Sequence, residues 1–222
     1  MKLSFVSMLY HRMGGSVTSL KEGVDIVRDE LVGPLTDKQR DCLDLAHRGA
    51  EELTDLINDA FCLQNLDEGK TVFHIESVNI NNMIEQIREV MIDKAVGKGL
   101  NIKLNLDNNI TEVKADRLKI DRVINDILEN AIYFTDQGEI EIVTKSCSSD
   151  IQASIKDSGV GIKEDDIKRL FVPFQRLGDQ PKTDGATLSL AICEKIILAH
   201  HGKIWVESEP SKGTTFYFTL PK

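Results

Sequence analysis

Apolar residues recur at Leu3, Val6, Tyr10, Met13, Val17, Leu20, Val24, Val27 and Leu31, with spacings that alternate three and four. That pattern is the seam of a long amphipathic helix. Gly33-Pro34 ends it, because proline disfavours the helical conformation in the residue before it. Thr36 followed by Gln39 is a capping-box start for a second helix. Its stripe runs through Leu43, Ala46, Ala50, Leu53, Ile57 and Ala60. The short connection makes the two helices antiparallel. A hairpin with one stripe per helix buries it poorly alone. Pairing with a second copy into a four-helix bundle solves this, so a homodimer is expected. The alternative is a hairpin packed on its own chain.

The pattern changes after Asp67-Glu68-Gly69-Lys70, which places a boundary between domains 1–68 and 69–222. Beyond it, Thr71 to Val78 and Leu100 to Leu106 read as strands, and Asn81 to Val96 as an amphipathic helix. Ala115 to Phe134 reads as one long helix. Glu139 to Thr144 and Ile151 to Ile155 are strands, and Lys163 to Leu170 is an acidic, helix-like run. Leu188 to Ala199 is a helix stopped at Gly202, and Lys203 to Glu207 with Thr214 to Leu220 form a last hairpin. The predicted class is α+β: a helical hairpin, then one mixed sheet with helices on one face.

Composition narrows the classes of function. The 222 residues are 41% hydrophobic and 28% charged, a globular mixture. The net charge of −9 argues against a nucleic-acid surface, so any anionic ligand must be met by local donors. Cys42, Cys62, Cys147 and Cys193 form no CxxC, which argues against a disulfide framework or a zinc site. No apolar run is long enough to span a bilayer, and a cytoplasmic location is expected. The chain opens inside a patterned helix, so an upstream sensor segment is expected before it.

Candidate chemistry gathers in four stretches and one histidine. Asp157-Ser158-Gly159-Val160-Gly161-Ile162 follows a strand; its carboxylate suits an exocyclic amine, and glycine admits close backbone approach. Alone it is equally well a turn. Asp126 and Asn130 are four apart, hence on one helix face, and offer oxygen ligands to hydrated Mg²⁺. Phe171-Val172-Pro173-Phe174-Gln175-Arg176 opens a long loop that offers Arg176 and Lys182 to phosphate. Gly185-Ala186-Thr187-Leu188-Ser189-Leu190 passes from loop to helix, where free N–H groups suit an anion. His11 follows seam position Tyr10 and points away from the seam, as a surface histidine or a nucleophile. Gly14-Gly15 soften the helix just beyond it. His47 and His74 show no partner, Trp205 reads as packing, and His200 and His201 suit the negative end of a helix.

In this order the stretches resemble the catalytic core of sensor histidine kinases. Asn130 falls in an N box, Asp157 to Ile162 in a first glycine box, Phe171 to Phe174 in an F box and Gly185 to Leu190 in a second glycine box. Residues 207–216 are similar to that family's last hairpin, and the first 70 residues to its dimerisation and phosphotransfer hairpin, with His11 in the acceptor slot. The resemblance implies a dimeric four-helix bundle followed by an α/β-sandwich ATP-binding domain of the GHKL superfamily. It implies ATP and Mg²⁺ as ligands. Asp157 would take the adenine amino group, with Gly159 and Gly161 letting backbone approach the base. Asn130 would hold Mg²⁺ with Asp126, which is also a candidate base. Arg176, Lys182, Gly185 and Thr214 would complete the nucleotide site. His11 would receive the γ-phosphoryl and pass it to an aspartate of a response-regulator receiver domain. The chain departs from the family's pattern at Arg12, Gly15, Ser16, Asp126, Thr187 and Ser189. Those positions keep two other readings in view: a phosphotransfer scaffold with weak or no ATP binding, and an ATPase that uses the hairpin only to dimerise.

Overall fold

The structure is a computed structural model that describes residues 5–175 and 186–222. The side chains of residues 5–9, 11, 186 and 187 lie outside the described set. The chain divides into two compact units, Met1–Gly69 and Lys70–Lys222.

The first unit is a helical hairpin of α1 (Phe5–Arg28) and α2 (Asp37–Asp67). α1 stops one turn short of the apolar stripe's end, in turns where Glu30 takes a positive φ of 58°. The capping box forms: Thr36 Oγ1 accepts from Gln39 N, and Thr36 N donates to Gln39 Oε1 at 2.9 Å. Cross-helix pairs run in opposite directions along the two helices. Tyr10 stacks on Phe61 with ring centroids 4.0 Å apart, Lys21 Nζ meets Glu51 Oε1 at 3.1 Å, and Arg40 pairs with Glu30. Within the hairpin Val17, Ala50, Ile57 and Leu63 are buried. The other half of the stripe stays open, with Met13 45% and Leu20 56% exposed, and Leu31 and Leu53 exposed as well. His47, without a visible partner in the sequence, stands between two carboxylates. Its Nδ1 is 2.7 Å from Asp25 Oδ1, close but without hydrogen-bond alignment, and its Nε2 is 3.1 Å from Glu51.

The second unit runs β1 (Ile75–Val78), α3 (Ile80–Gly97), β2 (Leu100–Asn105), β3 (Val113–Asp116), α4 (Arg117–Phe134), β4 (Gly138–Ser146), β5 (Asp150–Asp157), α5 (Glu164–Ile167), α6 (Ala186–Ala199), β6 (Ile204–Glu209) and β7 (Gly213–Pro221). Five strands form a mixed sheet in the order β2-β4-β5-β7-β6, with β2 and β4 parallel. β1 and β3 form a separate antiparallel pair, so the expected single sheet is two. Alternation along the strands sends Ile140, Ile142, Ile151, Ala153, Ile155, Phe216, Phe218 and Leu220 into the core. α4 meets them with Ile120, Val123, Ile124, Ile127 and Leu128, all with no exposed surface. Trp205 stacks on Tyr217 across the β6–β7 pair, centroids 5.0 Å apart.

Two local readings change. The long helix begins at Arg117, because Val113–Asp116 pairs with β1 and Asp116 caps the helix by accepting from Lys119 N at 3.1 Å. That carboxylate also accepts the His74 N–H at 2.8 Å. His200 does not stand in solvent at the helix end. It is buried, its Nε2 accepts the Asp116 N–H at 2.9 Å, and its Nδ1 lies 2.8 Å from the Ile196 carbonyl. Nε2 is therefore the acceptor in this arrangement, and Nδ1 is the nitrogen placed to donate.

Candidate functional site

β5 ends on Asp157, and everything near it is placed by that strand end. The carboxyl is buried, 4% exposed. Its Oδ1 accepts from Gly159 N at 2.8 Å and from Thr214 N at 3.1 Å, and Oδ2 accepts none among the described residues. Burial pushes this carboxyl above the usual carboxylate range, and the two N–H donors pull it part of the way back. A carboxylate with one oxygen saturated and one oxygen spare is an oriented acceptor.

The glycines beside it answer to the protein itself. A Cβ at Gly159 would run into the Phe134 carbonyl oxygen and lie 2.9 Å from Asp157 Oδ1. Gly161 has a φ of +69°, and a Cβ there would overlap the Glu209 carbonyl. Val160 N donates to Phe134 O at 3.4 Å, Ser211 N to Val160 O at 2.7 Å and Ile162 N to Ser208 Oγ at 2.8 Å. The turn is therefore clamped between the end of α4 and the β6–β7 hairpin. Thr214 takes part through its backbone N–H, while its hydroxyl pairs with Ser208 Oγ at 3.0 Å. The packing of Phe134 and Glu209 against this turn left no mark in the sequence.

α4 carries the second group of polar candidates. Asn130 Nδ2 is buried and finds no hydrogen-bond partner among the described residues. An orphaned amide of this kind marks a place where a ligand would complete the bonding. One turn earlier, Asp126 Oδ2 lies 3.4 Å from Arg122 Nε and 3.6 Å from the Cys193 thiol of α6. Among the described residues no cluster of three or more His, Cys, Asp or Glu side chains could hold a metal. The amide oxygen and carboxylate of this face suit an ion that keeps its own waters and borrows phosphate oxygens, as Mg²⁺ does. Arg176, Lys182 and Gly185 lie outside the described residues. In the first unit, His11 holds a helical position of α1 directly after Tyr10. One turn on, Gly14 and Gly15 help line a groove of about 240 Å³ with Tyr10, Val17, Thr54 and Asn58.

Residues 115–222 match the family described as "Histidine kinase-, DNA gyrase B-, and HSP90-like ATPase". The solved catalytic domain of the histidine kinase ThkA is 32% identical, covers 68% of this chain and 97% of its own, and superposes with a TM-score of 0.61. The chain belongs to the sensor histidine kinase family. Full-length ShkA, solved in complex with AMPPNP, shares the fold over 100% of this chain and 46% of its own, with a TM-score of 0.85 at 23% identity. ThkA solved in complex with the response regulator protein TrrA shares the fold over 95% of the chain, with a TM-score of 0.67 at 24% identity. The alginate biosynthesis sensor protein KinB of Pseudomonas aeruginosa is 28% identical over 98% of this chain. The match spans 36% of KinB, so the chain corresponds to about a third of that relative's length. The Asp157 strand end thus lies within the stretch that matches this ATPase family, and the helical hairpin precedes it in the chain. No helix among the described residues is long and apolar enough to cross a membrane.

Proposed function

We propose that this chain is the ATP-binding and phosphotransfer core of a two-component kinase: it moves the γ-phosphoryl of ATP to His11 and then to a receiver-domain aspartate. The observation that carries this reading is Asp157, a buried acceptor with one oxygen fixed by Gly159 and Thr214 and one oxygen spare. The spare oxygen is matched to the exocyclic amine of adenine. Asn130 would hold Mg²⁺ beside the phosphates through its amide oxygen, with Asp126 on the same face. When bound, that ion neutralises phosphate charge. The protein's own contribution is position and electrostatic support rather than covalent chemistry. Arg176, Lys182 and the Gly185 helix start are assigned to the phosphates on their charge and spacing in sequence.

In the transfer, a nitrogen of His11 bonds to the γ-phosphorus as the bond to the bridging oxygen breaks. ADP leaves with the electron pair, and the imidazole proton goes to solvent. ThkA, solved with a response regulator, supports a receiver domain as the next acceptor. The half-open stripe at Met13, Leu20 and Leu53 supports a second copy completing a four-helix bundle. Domains 1–68 and 69–222 are assigned accordingly to dimerisation with phosphotransfer, and to nucleotide binding. Incubation with γ-labelled ATP and Mg²⁺, beside His11→Gln and Asn130→Ala, tests this. Acid-labile label that disappears in both variants is expected. No label and no nucleotide binding would overturn the kinase reading in favour of a scaffold. Phosphate release that survives His11→Gln would point to an ATPase.

A further inference from the structure

Lys98 caps α3 and precedes β2, yet its side chain serves a different element. Its Nζ donates to the carbonyl oxygens of Ile132, Tyr133 and Thr135 at 2.8, 2.9 and 3.2 Å. The same ammonium lies 5.8 Å from the centre of the Tyr133 ring. α4 has no basic residue in its own last turn, so the cation that answers its negative end comes from across the fold. The carbonyl skipped in this set is Phe134, the one that receives Val160 N and abuts Gly159. Lys98 thus gathers the loose end of α4 on both sides of the carbonyl against which the Asp157 turn rests.

We propose that Lys98 is a positioning residue for the nucleotide site: by fixing the end of α4 it sets where Phe134 meets Gly159 and Val160, and so how Asp157 presents its free oxygen. The chain of contacts is short. Three bonds fix the helix end, the Phe134 carbonyl seats the turn, and Gly159 N orients Asp157 Oδ1. Asn130 lies one turn back on the same helix, so both walls of the site share this anchor. The consequence for nucleotide rests on the kinase reading above; the consequence for the turn does not.

The test uses Lys98→Met, which keeps the stem and removes the charge, and Lys98→Arg, which keeps the charge. Calorimetric titration with Mg²⁺-ATP is expected to show affinity about five- to twentyfold weaker in Lys98→Met and within about threefold of the parent in Lys98→Arg. The KM for ATP should rise by a similar factor, while kcat at saturating ATP stays within about twofold, because the anchor touches no reacting atom. Amide hydrogen exchange at Gly159 and Val160 should accelerate in Lys98→Met while the β5–β7 ladder keeps its protection. Parent-like affinity together with parent-like exchange at Val160 would overturn the proposal. If the parent itself binds no nucleotide, the kinase reading fails, and exchange at Gly159 and Val160 alone decides the role of Lys98. General loss of protection across β5 and β7 would mark Lys98 as a support of the whole unit and also overturn it.

Discussion

Replacing Asp157 by asparagine separates binding from folding. The amide oxygen can still accept the Gly159 and Thr214 N–H groups, so the turn keeps its two bonds. The amide nitrogen then stands where Oδ2 stood and offers a donor to an adenine amino group that is itself a donor. On the proposed reading the lost bond is one to a charged acceptor, worth roughly 1.5–3 kcal/mol, or about ten- to 150-fold in affinity. Titration of parent and Asp157→Asn with Mg²⁺-ATP should show at least that loss. Binding by the variant within about threefold of the parent would refute the assignment of Asp157 to the base. Stability should move differently. Burial raises the carboxyl's pKa in the folded state, so the folded protein holds that proton more tightly than the unfolded chain. The resulting stabilisation is complete below the unfolded pKa and is lost as pH rises through the folded one. Above that window the parent carries a buried charge, which asparagine lacks. Urea unfolding at about pH 4 and about pH 7 should therefore show the variant gaining on the parent as pH rises. A stability difference independent of pH would refute the burial argument.

Three other substitutions probe the remaining links. Gly161→Ala places a side chain at a φ of +69° and against the Glu209 carbonyl, so the second unit should lose about 2–4 kcal/mol in urea unfolding; a loss under about 0.5 kcal/mol would contradict the clamp. Thr36→Ala removes the capping box and should cost the hairpin about 1 kcal/mol, read by circular dichroism during denaturation. Leu20→Glu places a charge on the open stripe and should weaken self-association at least about tenfold in sedimentation equilibrium, with unchanged helicity; an unaltered mass distribution would rule out a dimer through this face.

The helical hairpin was legible because its information is periodic and local. The three-and-four spacing, the Gly33-Pro34 stop and the Thr36–Gln39 cap each name a physical event within a few residues. Most strands of the second unit were legible for the same reason, since one buried face leaves an alternating pattern. β3 was not, because Val113 to Asp116 is too short to show alternation and its partner β1 lies far back in the chain. His200 was misread because a buried acceptor and an exposed helix-end cation look alike in sequence; only the fold brings the Asp116 N–H to its ring.

The sequence by itself determined the change of pattern after the hairpin, most of the helices and strands, and which polar residues stand at strand ends and helix faces. It named Asp157, Asn130 and the glycines, because composition and spacing are properties of the chain. Only the tertiary structure decided what those residues do for one another. Gly159 and Gly161 are required by the carbonyls of Phe134 and Glu209, Thr214 supports Asp157 through its backbone, and Lys98 holds the end of a helix remote in sequence. Backbone carbonyls and amides belong to every residue, so their pairings leave no signature in side-chain pattern. They become specific only when packing brings one strand end, one helix end and one hairpin together around a single carboxylate.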